Sequence, residues 1–216
     1  LLGDIPAEGI DVSSENGPIE WARVTLVEFV YLRGLIGLDT RDERVVENAN
    51  GCRATSLPFG VYGLVYARHL RPQDAAEQGR QLVALHRETG ATLLPALDCE
   101  DGPPGPPNGW EWLAAIEDYV EAVASELGRA PLVYLSPAFV SERAPGLSMS
   151  TIVSPCPLWL AAYEPTCPEA PLPWRFMKGQ QPTMWQYEST GSVAGIRGNV
   201  DRSRILTPGG VNAIRC

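Results

Sequence analysis

The sequence predicts an α/β barrel. Eight short apolar runs read as strands, the early ones are separated by helical segments, and the last three follow one another without a long helix between them. Alternating strand and helix points to a parallel sheet, and eight strands suffice to close one. An open doubly wound sheet is the competing layout. Neither of the glycine-rich phosphate-loop patterns that would favour it, GxGxxG or GxxxxGKS/T, occurs in the chain.

EGIDV, 8–12, is the first strand, and SSENGPIEWARV after it reads as a loop and a short helix start. VEFVYLRG, 27–34, is the second strand, with helix-like composition over 40–54 ending near Asn50 and Gly51. PFGVYGLVY, 58–66, is the third. The clearest helix is 71–90: Pro72 suits its first turn, apolar residues recur at helical spacing, and Gly90 stops it. TLLPALDCE, 92–100, is the fourth strand. The loop DGPPGPPNG, 101–109, leads to an amphipathic helix over 110–128 closed by Gly128. PLVYLS (131–136), PLWLAAY (157–163), PTMWQYE (182–188) and GNVD (198–201) complete the strands. No internal repeat or linker divides the chain, so one domain spans 1–216 with its core over about 8–206.

The 216 residues are 44% hydrophobic, enough for a full core, and no apolar run approaches the length of a membrane span. Seventeen basic against 26 acidic residues give a net charge of −9, which argues against a nucleic-acid backbone as target and leaves a neutral sugar polymer open. The opening LLGDIPAEG lacks the basic patch and cleavage pattern of a secretion signal, and it equally fits a trimmed mature start. None of the five cysteines forms a CxxC pair. Cys156 and Cys167 bracket a short loop-like segment and suit a disulfide; Cys52 and Cys99 read equally well as small buried residues.

Four carboxylates fall at strand termini: Asp11, Asp98, Glu100 and Asp201. The C-terminal strand ends form the working face of a parallel barrel. Asp98 and Glu100 are two apart, so they share a face while Cys99 turns to the helical layer. Neighbouring carboxylates repel, which lifts one pKa and lets one group stay protonated while the other stays charged. Glycoside hydrolysis needs that division. Glu100, longer and nearer the open end, suits the acid; Asp98, deeper, suits orientation or stabilisation of positive charge. Taken alone, Asp98 and Glu100 also fit strand-end caps, and for Asp11 or Asp201 singly that plainer reading is the better one. Tyr62, Trp159, Tyr163, Trp185 and Tyr187 lie in the strands, where flat rings can stack on sugars or pack the core. His69 and His86 have no ligand cluster or serine partner around them, so neither a zinc site nor a triad is expected.

GIDVS, LDCE, LWLAAY and WQYESTGSVAGIRGNVD, in that order, resemble the glycoside hydrolase family 25 lysozymes, the Chalaropsis-type N-acetylmuramidases, over roughly residues 8–206. The resemblance implies a flattened, TIM-like barrel of five β/α units followed by three strands. It implies cleavage of the β-1,4 bond between N-acetylmuramic acid and N-acetylglucosamine in peptidoglycan, with Glu100 as general acid, Asp98 as its electrostatic or orienting partner, and Asp11 and Asp201 in support. No cofactor or metal is expected. The expected partner is a peptidoglycan glycan strand met by a monomer outside a cell or facing its wall, as a phage endolysin, autolysin or secreted antimicrobial effector. Three positions depart from the family pattern: Ile36 in RGLIG stands where KATEG carries a groove glutamate, with Asp39 too far along to replace it; YGL, 62–64, replaces YHF; and VDRS replaces VDxN. These changes keep two alternatives in view, a weak or inactive glycan-binding barrel and a hydrolase of another N-acetylated polysaccharide such as chitin.

Overall fold

A computed structural model describes residues 6–38, 40–65, 72–100, 109–176 and 181–216. Asp39, His69 and the proline-rich loop 101–108 lie outside the described residues. The strands are β1 (Ala7–Val12), β2 (Phe29–Ile36), β3 (Thr40–Arg41), β4 (Phe59–Leu64), β5 (Ala96–Asp98), β6 (Leu132–Leu135), β7 (Leu158–Ala161), β8 (Met184–Gly191) and β9 (Val200–Ile205). The helices are α1 (Val45–Ala54), α2 (Pro72–Thr89), α3 (Gly109–Leu127) and α4 (Pro137–Glu142). β1 pairs with both β2 and β9, so eight strands close into a barrel, with β3 added as a short hairpin arm on β2.

The seven strands from β1 to β8, β3 aside, run parallel, as the strand–helix alternation predicts. β9 does not: it is antiparallel to both β8 and β1. The stretch 198–201 therefore begins this strand instead of ending one. The reversal still serves the site, because an antiparallel strand starts at the end where its parallel neighbours finish.

Two layers of side chains build the core. Inside the barrel, Phe29, Tyr31, Leu94, Ala96, Leu132, Trp159, Met184 and Ile205 fill the closed half, and Ile214 from the C-terminal turn plugs the bottom. Outside, Val30, Leu32, Val61, Leu97 and Val133 pack against α1, α2 and α3. Cys99 sits in this outer layer, as period-two geometry requires. Gly9 matters to the closure: a Cβ there would meet the Phe29 ring at 2.2 Å, so only glycine lets β1 approach β2 with that ring inside.

Gly90 and Gly128 end α2 and α3 with positive φ of 68° and 71°, the left-handed cap their sequence positions predict. The first unit differs from the expected β/α pattern. After β1 the chain makes only single 3-10 turns at Ser14–Asn16 and Trp21–Arg23, because Gly17 at φ 65° followed by Pro18 stops the first turn. α4, which the hydrophobic pattern passes over, is six residues started by a Ser136 cap on the Phe139 N–H at 3.1 Å and by Pro137.

The cysteines correct another expectation. Cys156 and Cys167 are separate free thiols. The residues between them are not a closed loop: they contain β7, which carries the chain across the sheet and leaves Cys156 buried and Cys167 half-exposed.

Candidate active site

The open end of the barrel holds a pocket of about 490 Å³ lined by Asp11, Tyr62, Asp98, Glu100, Tyr134, Trp159, Tyr163, Gln186 and Asp201. All four sequence-predicted carboxylates meet there. Register explains the convergence. Asp11 stands opposite Asp201 across the β1–β9 pair, and Asp98 stands beside Tyr134, which stands beside Trp159. Glu100 lies just beyond the end of β5 and is exposed, whereas Asp98 and Asp11 are buried.

A polar net fixes one wall. Gln186 donates from Nε2 to Asp11 Oδ2 at 3.0 Å, and its Oε1 accepts from the hydroxyls of Tyr134 (3.0 Å) and Tyr163 (2.8 Å). Trp159 donates to Ser203 Oγ at 3.1 Å and packs against Tyr31 and Tyr134, with ring centroids 4.9 and 5.0 Å away. Asp98 Oδ1 is buried with no hydrogen-bond partner among the described residues. A buried carboxylate oxygen without a donor is costly unless protonated or met by a ligand.

The electrostatics follow from this crowding. Burial, then the charge of Glu100, pushes Asp98 well above the usual carboxylate range; Asp11 and Asp201 add to the push and Arg33 opposes it. Burial and Asp201 raise Asp11 in the same way, and burial raises Asp201. Tyr62 and Tyr134 are driven up as well, so both remain neutral phenols. Burial and mutual repulsion thus favour the protonated form of the buried aspartates beneath an exposed glutamate. Among the described residues, no group of three His, Cys, Asp or Glu side chains is arranged to hold a metal ion.

The family model for glycosyl hydrolases family 25 matches residues 10–196. The chain belongs to that family. Lysozyme M1 of Streptomyces globisporus is 24% identical over 212 residues, covering 91% of this chain and 67% of that protein. Solved structures share the fold, two of them as follows. The lysozyme of Streptomyces coelicolor has a TM-score of 0.78 at 22% identity, covering 98% of this chain and 96% of its own. The spore cortex lytic enzyme SleM of Clostridium perfringens has a TM-score of 0.82 at 21% identity, covering 99% and 70%.

Within this family 25 barrel, three of the five sequence-predicted aromatics reach the pocket: Tyr62, Trp159 and Tyr163. Trp185 and Tyr187 do not. On β8 they flank the inward Gln186 and so face outward. Trp185 donates to the Ala162 carbonyl at 2.7 Å, while Tyr187 donates to Glu8 Oε2 at 2.6 Å and lies under the Arg204 guanidinium. Sequence reasoning missed Tyr134 and Gln186. The signal was present in the WQY alternation: if Gln186 shares the inner face with the acids, its aromatic neighbours cannot. Ile36 pairs with Leu64 and Thr40, so where the family's groove glutamate would stand the strand is apolar. His86 is buried on α2, away from the pocket residues.

Proposed function

We propose that this chain is a peptidoglycan muramidase, hydrolysing the β-1,4 bond between N-acetylmuramic acid and N-acetylglucosamine. Membership of family 25 supports hydrolysis of a glycoside, and two of the relatives described above are lysozymes by name. The observation that carries the residue assignment is the single pocket in which exposed Glu100 stands beside buried Asp98, with Asp11 and Asp201 behind. The pair repels its second negative charge and so retains a proton at a pH where isolated carboxyls have lost theirs.

In this reading a glycan strand covers the mouth and strips water from Glu100. The shared proton then resides on Glu100, which delivers it to the glycosidic oxygen as the C1–O bond breaks. Asp98 is left charged beside the sugar carbon that becomes positive, or holds the substrate's own acetamido group while its oxygen attacks C1. Water then attacks C1 from the face the leaving group vacated, breaking the acetamido C1–O bond where that has formed, while the Glu100 carboxylate takes the water's proton, so the anomeric configuration is retained. Asp11, fixed by Gln186, and Asp201 keep the pocket polar, and Tyr62, Trp159 and Tyr163 seat the ring. The chain acts where wall is accessible to it, outside a cell or on the wall-facing side of a membrane.

Turbidity loss of purified cell walls tests this. Glu100→Gln is expected to cut the rate by roughly 10²–10⁴-fold while wall binding persists. Equal clearing by both proteins would refute the assignment. Ile36 gives a second reading its one support, a barrel that binds glycan without cutting it; binding without clearing by the unmodified chain would favour that. Mass analysis of released fragments distinguishes a muramic acid reducing end from a glucosamine one.

A further inference from the structure

Two loops leave the open end of the barrel beside Asp11 and Asp201. One follows β1 through the 3-10 turns Ser14–Asn16 and Trp21–Arg23; the other, 192–199, joins β8 to β9 and returns to the sheet at Val200, next to Asp201. They are tied together. Asn16 Nδ2 donates to the Asn199 carbonyl at 3.1 Å, and the Glu20 N–H donates to the Gly195 carbonyl at 2.8 Å. Gly195 has φ 91°, and a Cβ there would meet the Glu20 carbonyl oxygen at 2.5 Å, so this tie needs glycine. The joined loops form a groove of about 1030 Å³, roughly twice the volume of the acid pocket, with Pro18, Glu20, Arg23, Val193, Ile196 and Arg197 in its walls. Arg197 is exposed and makes no ion pair or hydrogen bond with another described residue. Arg23 meets Glu20 at 3.3 Å, but both side chains are more than 60% exposed, so water competes with that pair and an incoming anion can replace it.

We propose that this groove seats the peptide stem of peptidoglycan, with Arg197 pairing a stem carboxylate and Arg23 adding a second cation. This rests on the muramidase reading and says how the chain would tell muramyl glycan from other sugar polymers. The stem hangs from the lactyl ether of muramic acid, so a muramic acid whose C1 reaches Glu100 holds its stem at the rim of the pocket. The stem is a short peptide with free carboxylates. A chain of net −9, with four carboxyl groups in its pocket, repels such a group except where a cation is left for it. Arginine suits the task, because its planar fork meets a carboxylate through two N–H groups at once. A groove of this volume suits a peptide and not a single ion. Chitin carries no stem and offers Arg197 nothing to bind. An arginine that served solubility alone would be indifferent to whether the glycan carries a stem.

The test compares two preparations of the same glycan chains, one with stems intact and one with stems removed by an amidase. Arg197→Gln is expected to lower kcat/KM on stem-bearing chains by about threefold to fivefold, as for one exposed ion pair, and Arg23→Gln with Arg197→Gln by about tenfold. Both variants should stay within about twofold of the unmodified chain on stem-free glycan. An equal loss on the two preparations, or no loss on stem-bearing chains in the double variant, overturns the proposal. Both positions are exposed, so folding is not at stake. If the unmodified chain clears no walls, the muramidase reading fails, and the groove is still decided by NMR titration with N-acetyl-L-alanyl-γ-D-glutamyl-L-lysyl-D-alanine. Shifts centred on 18–23 and 192–197, absent in the double variant and absent with the carboxyl-amidated peptide, sustain the stem site. No shifts there, or shifts that persist with the amidated peptide, overturn it.

Discussion

At the scale of single residues, Asp98 sets a cost in stability against the role proposed for it. It is buried, lacks a partner on Oδ1, and is raised by burial and by Glu100. Its folded pKa lies above its unfolded one, so between the two the folded chain binds more protons than the unfolded chain. The stabilisation this gives is complete below the unfolded value near 3.8 and is lost as pH rises through the folded value. Asp98→Asn, which never charges, should therefore raise the melting temperature more at pH 7 than at pH 4, by a stability gain of about 1 kcal/mol at neutral pH. Thermal denaturation at the two pH values checks this, and an equal or lower Tm at pH 7 would count against it. Under the proposed function this is stability given up at a site carboxyl, a common trade in enzymes.

At the scale of elements, β8 shows how strand parity selects function. Gln186 turns inward to Asp11, Tyr134 and Tyr163, while Trp185 and Tyr187 turn outward. Gln186→Leu leaves Asp11 and two phenols short of a partner, and kcat/KM on wall fragments should fall by about tenfold or more. Tyr187→Phe removes a hydroxyl bound to Glu8 on the outer face and should leave kcat/KM within about twofold. The reverse ranking would place the outer face, not the inner one, at the substrate. The same parity argument was available for β5, where it separates Asp98 and Glu100 from Cys99 correctly. On β8 parity puts Trp185 and Tyr187 on one face but leaves open which face lines the pocket, because aromatic side chains suit sugar stacking and core packing alike.

At the scale of the whole molecule, net charge bears on how the barrel meets its target. A chain of −9 repels polymers rich in phosphate and carboxylate, such as those that decorate many walls. Added salt screens that repulsion once the Debye length falls to about 10 Å, near 0.1 M. Clearing of whole walls should thus quicken several-fold between about 10 and 100 mM salt, with little change on short fragments stripped of those polymers. A matching salt response on both substrates would assign the effect to the site and not to the overall field. No helix among the described residues is long and apolar enough to cross a membrane.

By itself the sequence determined the strand–helix alternation, the eight barrel strands, the glycine stops at 90 and 128, and the four acids at strand ends. These are local: they depend on period, on backbone freedom and on the cost of placing charge beside apolar runs. Tertiary structure decided what depends on register and direction. It reversed β9, setting Asp201 opposite Asp11, and put Tyr134 and Gln186 into the pocket in place of Trp185 and Tyr187. It also kept Cys156 apart from Cys167 and tied Arg33 to Asp42, Glu15 and Ser14, partners 9, 18 and 19 residues away in sequence. A strand's pattern says which residues share a face, but only its neighbours say which way it runs and what that face meets.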